Sequence, residues 1–425
     1  MSRVIGLVFV LAIGSSHAAS PDSAVLAVAG RANANPSIAA AGAFVAVTWA
    51  ATGSRGTDVY LAASSDAGRT FSSPALVSGS AGANVSGEQP PQVVLRPRAG
   101  RAPDVVVVWT SKAASGTRLL SARSDDGGRR FSAPVPLPGS DAPGNRGWES
   151  VAVTPGGDVV AAWLDHRETV SASSASGGGH HGTDHGAHHG TQDGAVRAQL
   201  SKLFFAPLGA GGAARALAGG VCYCCKTSLA TDGDGGVYVA WRHVYPGNVR
   251  DIAFTMSNDG GKTFAGPIRV SDDRWVLDGC PENGPALAVD AHRRVHIVWP
   301  TLVPPANRSG EPTMELFHAM SSDGRRFTAR QRIPSGGVAR HPQMALGSRG
   351  DLVIVWDEPA GGRRRIAMAR ATDGERGTVS FARRTIDDDS SATYPVVAVT
   401  SDGTLVAWTS GSQSNAVIRL TRLMP

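Results

Sequence analysis

An all-β fold built from repeats is what this sequence predicts, and three observations carry the prediction. Apolar segments ending in tryptophan recur at a near-constant interval, a tight-turn signature recurs between them, and no stretch sustains the 3.6-residue apolar period of an amphipathic helix. With 52 glycines and 26 prolines in 425 residues, the chain is also punctuated too often for a helical bundle. Hydrophobic residues make up 42% and charged ones 18%, which excludes a disordered polymer. The formal charge of +6 is scattered along the chain with no aromatic-and-basic stripe, so it supports solubility and not a nucleic-acid groove.

From the N-terminus, residues 1–18 combine a basic start, a short apolar run from Val4 to Ile13, and small residues at Ser16 and Ala18. That is the pattern of a secretory signal peptide, too short in its apolar centre to anchor in a bilayer. The expectation is an exported protein, periplasmic or extracellular, in which residues 19–425 form a single domain without a membrane span. Its four cysteines then meet an oxidising compartment.

The repeated strand reads Phe44-Val-Ala-Val-Thr-Trp49, Val105-Val-Val-Val-Trp109, Val159-Val-Ala-Ala-Trp163, Val237-Tyr-Val-Ala-Trp241, Val295-His-Ile-Val-Trp299, Leu352-Val-Ile-Val-Trp356 and Leu405-Val-Ala-Trp408. Successive tryptophans are 60, 54, 78, 58, 57 and 52 residues apart, and only the third interval is anomalous. A second signature follows most of these strands: Ser64-x-Asp66-x-Gly68-x-Thr70-Phe71, Ser124-x-Asp126-x-Gly128-x-Arg130-Phe131 and Ser257-x-Asp259-x-Gly261-x-Thr263-Phe264. A shortened copy runs from Ser321 to Phe327 and a worn one begins at Thr372. Ser and Asp side chains bond nearby amides, Gly supplies a positive φ, and the aromatic plugs the space between sheets. One acid repeated five times reads as turn chemistry and not as five active sites.

The Ser-x-Asp-x-Gly-x-Thr-Phe pattern resembles the Asp-box, or BNR repeat, of the sialidase superfamily over roughly residues 36–420. The resemblance implies a β-propeller, and a unit of about 55 residues suits a four-stranded blade. The repeat count predicts seven blades, with the six of sialidases as the alternative. The seventh unit stops after Ala416-Val-Ile-Arg-Leu420, so Ala24-Val-Leu-Ala-Val28 is expected to supply its outer strand and clasp the ring.

Alternating strand direction sorts the loops onto two faces. The Asp-box turns share one face; the loops leading into each inner strand and those after each Trp strand share the other. The resemblance implies that this second face bears the active site at the central mouth. Arg146, Glu149, Cys222, Cys224, Cys225, Lys226, Cys280, Arg340, His341 and Tyr394 lie in loops of the first kind, and Asp165, Arg242, His243, Asp357 and Glu358 in loops of the second. Cys222 and Cys280 each precede their Trp by 19 residues, so they are equivalent positions in neighbouring blades. The 78-residue interval holds an insertion at 168–197 on the same face, carrying His180, His181, His185, His188 and His189 on Gly/Ser-rich chain.

Three readings follow. In the leading one, Cys222, Cys224, Cys225 and Cys280 ligate copper or, second, zinc, while the five loop histidines collect metal and His243 or His341 completes the site. The second is structural disulfides around a non-catalytic mouth that binds a glycan or protein. In the third, the sialidase resemblance implies glycoside hydrolysis: Arg146, Arg242 and Arg340 clamp a carboxylate, Tyr394 is the nucleophile, and Glu358 and Asp165 supply the acids. This sequence departs from that pattern, because its one Arg-Ile-Pro, Arg332-Ile333-Pro334, follows the fourth Asp-box and Tyr394 precedes Pro395. A monomer is expected in every case.

Overall fold

The computed structural model describes residues 22–169, 191–209, 211–277, 279–305, 311–347, 350–373, 379–386, 390–412 and 414–424. The signal peptide expected at residues 1–18 and the five loop histidines lie outside them. The period-2 strands pair into seven four-stranded antiparallel sheets arranged as a ring, so the fold is the predicted seven-bladed β-propeller. Blade 1 is β2 (Ala32–Ala41), β3 (Phe44–Gly53), β4 (Gly56–Ser64) and β5 (Ala75–Leu76) from the axis outward, and blade 2 is β6 (Gln92–Arg96), β7 (Asp104–Ala113), β8 (Gly116–Ser124) and β9 (Val135–Pro136). Blade 3 holds β10 (Arg146–Val153), β11 (Val159–Asp165), β12 (Lys202–Pro207) and β13 (Arg215–Gly219); blade 4 holds β14 (Ser228–Thr231), β15 (Val237–Arg242), β16 (Ile252–Ser257) and β17 (Ile268–Arg269). Blade 5 is β18 (Ala286–Val289), β19 (Val295–Val303), β20 (Thr313–Ser321) and β21 (Gln331–Ile333), and blade 6 is β22 (Arg340–Leu346), β23 (Leu352–Ala360), β24 (Arg363–Asp373) and β25 (Val379–Ile386).

Blade 7 combines β26 (Ala392–Thr400), β27 (Gly403–Ser410) and β28 (Val417–Leu423) with β1 (Ser23–Leu26) from the other end of the chain. Ser23 to Leu26 pair antiparallel with Thr421 to Ile418, so the ring is clasped as the truncated seventh repeat requires. Closure of this kind leaves no open end where a blade would expose its apolar flank.

Packing follows the repeat. The tryptophan of each second strand is buried, and adjacent blades meet through apolar clusters such as the one joining Tyr238, Ile252 and Phe254 of blade 4 to Leu287, Val295 and Trp299 of blade 5. Each of the seven blade interfaces has such a cluster among the described residues. Several indole N–H groups are also satisfied, as in Trp49 to Asn33 Oδ1 at 3.0 Å and Trp356 to Glu358 Oε2 at 2.9 Å.

The repeated Ser-x-Asp-x-Gly turns join third to fourth strands, as sorted from sequence. Ser64 Oγ accepts the Gly68 amide at 2.9 Å, and Asp66 Oδ1 accepts the Arg69 and Thr70 amides at 2.9 Å each. Asp126 and Asp259 repeat the pattern with Arg130 and Thr263. Gly68 takes φ +81°, Gly128 +87° and Gly261 +84°, a region disfavoured for residues bearing Cβ. On this face the ends of β2, β6, β10 and β14 surround a cavity of about 870 Å³.

The insertion after blade 3's Trp strand ends in a short helix, α1 (Thr191–Gln199), where the sequence predicted loop. Its Ala198 packs with Cys222, Cys224, Cys225 and Val244, and the Arg197 guanidinium lies 4.9 Å over the Tyr223 ring. The insertion therefore returns against the cysteine loop. Among the described residues, no helix is long and apolar enough to cross a membrane.

Candidate functional site

The mouth face gathers two clusters joined by two buried residues, Glu88 and Lys226. The first is sulfur. Cys222, Cys224 and Cys225 occupy the loop leading into β14, and Cys280 the loop leading into β18, so equivalent loops of blades 4 and 5 face each other. Cys224 is disulfide-bonded to Cys280 with Cα atoms 6.2 Å apart, while Cys222 and Cys225 are free thiols. Cys222, the residue at the offset equivalent to Cys280, is therefore not the one bonded to it. Cys222 Sγ stands 3.9 Å from Cys224 Sγ and 3.6 Å from Cys225 Sγ. All four cysteines thus converge, and the three of the first loop have mutual spacing suited to holding one ion.

Electrostatics single out Cys222. Burial alone raises a thiol's pKa, but the hydrogen bond from Cys225 and the nearby Arg250 and Arg242 guanidinium groups outweigh it and bring Cys222 down to about 6. Burial and the adjoining Cys222 thiolate push Cys225 the other way, well above the ordinary thiol range. Arg250 is buried and held by Leu277 O at 2.9 Å and Asn248 Oδ1 at 3.2 Å, which aims its Nη1 at Cys222 Sγ from 3.1 Å. Sequence reading missed Arg250, although it lies in the loop after blade 4's Trp strand, two residues before β16.

The second cluster centres on Tyr394 and His341. Both occupy β-bulges in the innermost strands, with φ +52° and +53°, and their rings stack at 4.0 Å. Non-glycine residues in this region carry backbone strain that tends to collect at functional sites. His341 Nδ1 is 2.6 Å from Asp357 Oδ2, and Asp357 is also gripped by Arg364. Burial acts to raise the Asp357 carboxyl, but these partners outweigh it and hold it below the usual range. The Tyr394 ring lies against Gly87 of blade 2, where an added Cβ would stand 1.9 Å from a ring carbon. Burial, then Glu88, Asp357 and Glu282, raise the phenol's pKa and keep it protonated.

Glu88 and Lys226 connect the clusters. Glu88 Oε2 accepts the Gly284 amide at 3.1 Å and the Lys226 amide at 3.4 Å, tying blade 2 to blades 5 and 4. Lys226 Nζ donates to Pro342 O of blade 6 at 3.2 Å. Burial lowers the Lys226 pKa despite the opposing pull of Glu88. Glu88 Oε1 is buried without a partner among the described residues, as is Glu149 Oε1, whose carboxyl is raised to about 7 by burial. Glu88 escaped the sequence reading; it precedes Trp109 by 21 residues, close to the cysteine offset, and that offset was the available signal.

The remaining predicted residues divide. The Arg146 guanidinium is buried and donates to Asp165 at 3.1 Å and to the carbonyls of Thr117, Ser140 and Pro143. Arg242 is buried too, donating to the carbonyls of Asn283, Arg250 and Pro300. Both are held by framework groups, whereas Arg340 is exposed beside Tyr394. Asp165 is taken up by Arg146 and Arg167, and Glu358 by Trp356, the Gly336 amide, Arg365 and Arg383, so neither stands as a free acid beside Tyr394. The His243 ring meets Tyr245 edge-to-face with centroids 4.5 Å apart, and its pKa is lowered by burial to about 4. His341 belongs to the Tyr394 cluster. Arg332-Ile333-Pro334 begins in β21, the outermost strand of blade 5, with Arg332 paired to Glu315.

This fold and mouth define a seven-bladed β-propeller with blades of four antiparallel strands. Among solved structures, an ulvan lyase of a polysaccharide lyase family, bound to a GlcA(1-4)Rha3S saccharide, aligns with TM-score 0.56 at 12% identity over 93% of this chain and 94% of its own. The α-L-arabinofuranosidase Arb93A of Fusarium graminearum aligns with TM-score 0.50 at 13% identity over 92% and 93%. The NanB sialidase of Streptococcus pneumoniae aligns with TM-score 0.46 at 10% identity over 95% and 71%. At these identities the shared property is the fold. No protein-family model and no curated protein matches the chain.

Proposed function

We infer that this propeller captures a soft transition metal, copper first and zinc second, at its cysteine-lined mouth. The observation that carries the reading is the meeting of four sulfurs from two blades in one cluster, with an arginine directed at the most buried end. Thiolates favour Cu(I) and Zn(II) over harder cations. The full set of Cys222, Cys224, Cys225 and Cys280 is available when the Cys224–Cys280 bond is reduced. The helix closing the His-rich insertion packs on the same loop, which suits His180, His181, His185, His188 and His189 to a collecting role. Metal analysis of protein purified under reducing, chelator-free conditions is expected to find about one ion per chain. Cys222→Ser is expected to lose it, and deletion of 170–189 to slow its uptake. A metal-free reduced protein would overturn the reading.

A second reading, an enzyme processing an acidic saccharide, is favoured by the cluster of Tyr394, His341, Asp357 and exposed Arg340. There the Tyr394 phenol serves as a hydrogen-bond donor, since its surroundings oppose ionisation. Propeller neighbours that act on polysaccharides make the fold compatible with such chemistry. Fluorophore release from a sialoside and chain cleavage of a uronate polymer, each lost in Tyr394→Phe, are the deciding assays; inactivity on both removes this reading.

A further inference from the structure

The four sulfurs lead from surface to interior through close contacts, with the three of the first loop all within 4.8 Å of one another. Cys280 is exposed, its disulfide partner Cys224 is 7% exposed, and Cys222 and Cys225 are 1% exposed. The distances of 3.9 Å from Cys222 to Cys224 and 3.6 Å from Cys222 to Cys225 set the order as Cys280, Cys224, Cys222, Cys225. Cys222 and Cys225 also have Cys-x-x-Cys spacing, which closes readily into a disulfide. Arg250 places a fixed cation at 3.1 Å from Cys222 Sγ, where an attacking thiolate needs charge compensation.

We propose that this line carries out thiol–disulfide exchange, shuttling one disulfide between the exposed Cys224–Cys280 pair and the buried Cys222–Cys225 pair, with an external disulfide or dithiol as its substrate at Cys280. The Cys222 thiolate attacks Cys224 Sγ; the Cys222–Cys224 bond forms, the Cys224–Cys280 bond breaks, and its electron pair stays on Cys280. Cys225 then gives up its proton and attacks Cys222 Sγ. The Cys222–Cys225 bond forms, the Cys222–Cys224 bond breaks, and Cys224 keeps the pair and takes the proton. The chain is neither oxidised nor reduced overall, so the shuttle itself needs no oxidant. It leaves Cys224 and Cys280 as a dithiol at the mouth. That dithiol reduces an external disulfide by two electrons, leaving the chain with both of its own disulfides formed. An external dithiol reverses the process through Cys280, the sulfur that solvent reaches. The exchange depends on the order of the sulfurs and not on metal capture.

The test uses the full chain at one disulfide per molecule, in chelator, so that metal binding has no bearing on it. A maleimide-capped polyethylene glycol is applied under native conditions, followed by acid quench and peptide mapping. Labelling at Cys280 with a Cys222–Cys225 disulfide left behind is expected, at least tenfold slower in Cys222→Ser. Labelling of Cys222 or Cys225 with Cys224–Cys280 intact, no labelling, or an equal rate in folded Cys222→Ser would overturn the proposal. If that variant does not fold, the disulfide remaining in labelled wild-type protein decides alone.

Discussion

The two faces of the ring use their acidic residues in opposite ways. On the face of the repeated Ser-x-Asp-x-Gly turns, Asp66, Asp126 and Asp259 each accept hydrogen bonds from amides of their own turn, and the unit is complete within eight residues. On the mouth face, Glu88 binds the amides of two other blades and still has a buried oxygen without a partner among the described residues, and Glu149 has another. Recurrence with local satisfaction marks architecture. A singular, buried group whose partners are remote and whose bonding is incomplete marks a site that has something further to hold or move.

Three experiments sharpen this contrast. The largest effect is expected at the link between clusters. Lys226→Met removes the donor to Pro342 O and a buried cation that Glu88 and Asp357 stabilise, and urea unfolding should register a loss of about 3–5 kcal/mol. A loss under 1 kcal/mol would mean that Lys226 is not holding the mouth together.

Next comes Glu149. Its folded pKa of about 7 lies above the ordinary carboxyl value of 4.5, so the folded state binds more protons than the unfolded one over that interval. Stability is therefore greatest below pH 4.5 for this group and falls as pH rises to 7, by roughly 2–4 kcal/mol. Glu149→Gln should flatten that component when the two proteins' unfolding free energies are compared across the window. An unchanged difference from pH 4.5 to 7 would place the carboxyl in a wetter setting.

The smallest effect belongs to the turns. Ser64→Ala removes the acceptor of the Gly68 amide and should cost about 1 kcal/mol. Ser124→Ala and Ser257→Ala should cost the same, since their Oγ atoms accept Gly128 and Gly261 in matching geometry. Unequal costs, or a change in thiol reactivity at the mouth, would break the separation of the two faces.

Particular residues show how much was legible. The seven tryptophans and the repeated Ser-x-Asp-x-Gly turns could be read because each depends on neighbours within its own repeat. The convergence of Cys222 and Cys280 could be read too, because equal offsets from a repeated landmark translate into equal positions around a ring. Arg146 and Arg242 were legible as mouth residues but not as framework groups, because carbonyls that occupy them, such as Ser140 O and Asn283 O, come from loops whose paths the sequence does not specify. Glu88 and Arg250 were missed, since nothing local distinguishes a surface acid or base from one that ring closure buries.

By itself the sequence determined the blade, its number of copies, the strand that clasps the ring and the face on which each loop emerges. All of these follow from period-2 patterning and turn chemistry acting over a few residues. The tertiary structure alone decided that Cys224 and not Cys222 bonds Cys280, that Arg250 faces the Cys222 sulfur, and that Glu88 meets Lys226 across 138 residues of chain. Those choices are set by ring curvature and loop paths, which bring groups into contact at distances that no periodicity along the chain encodes.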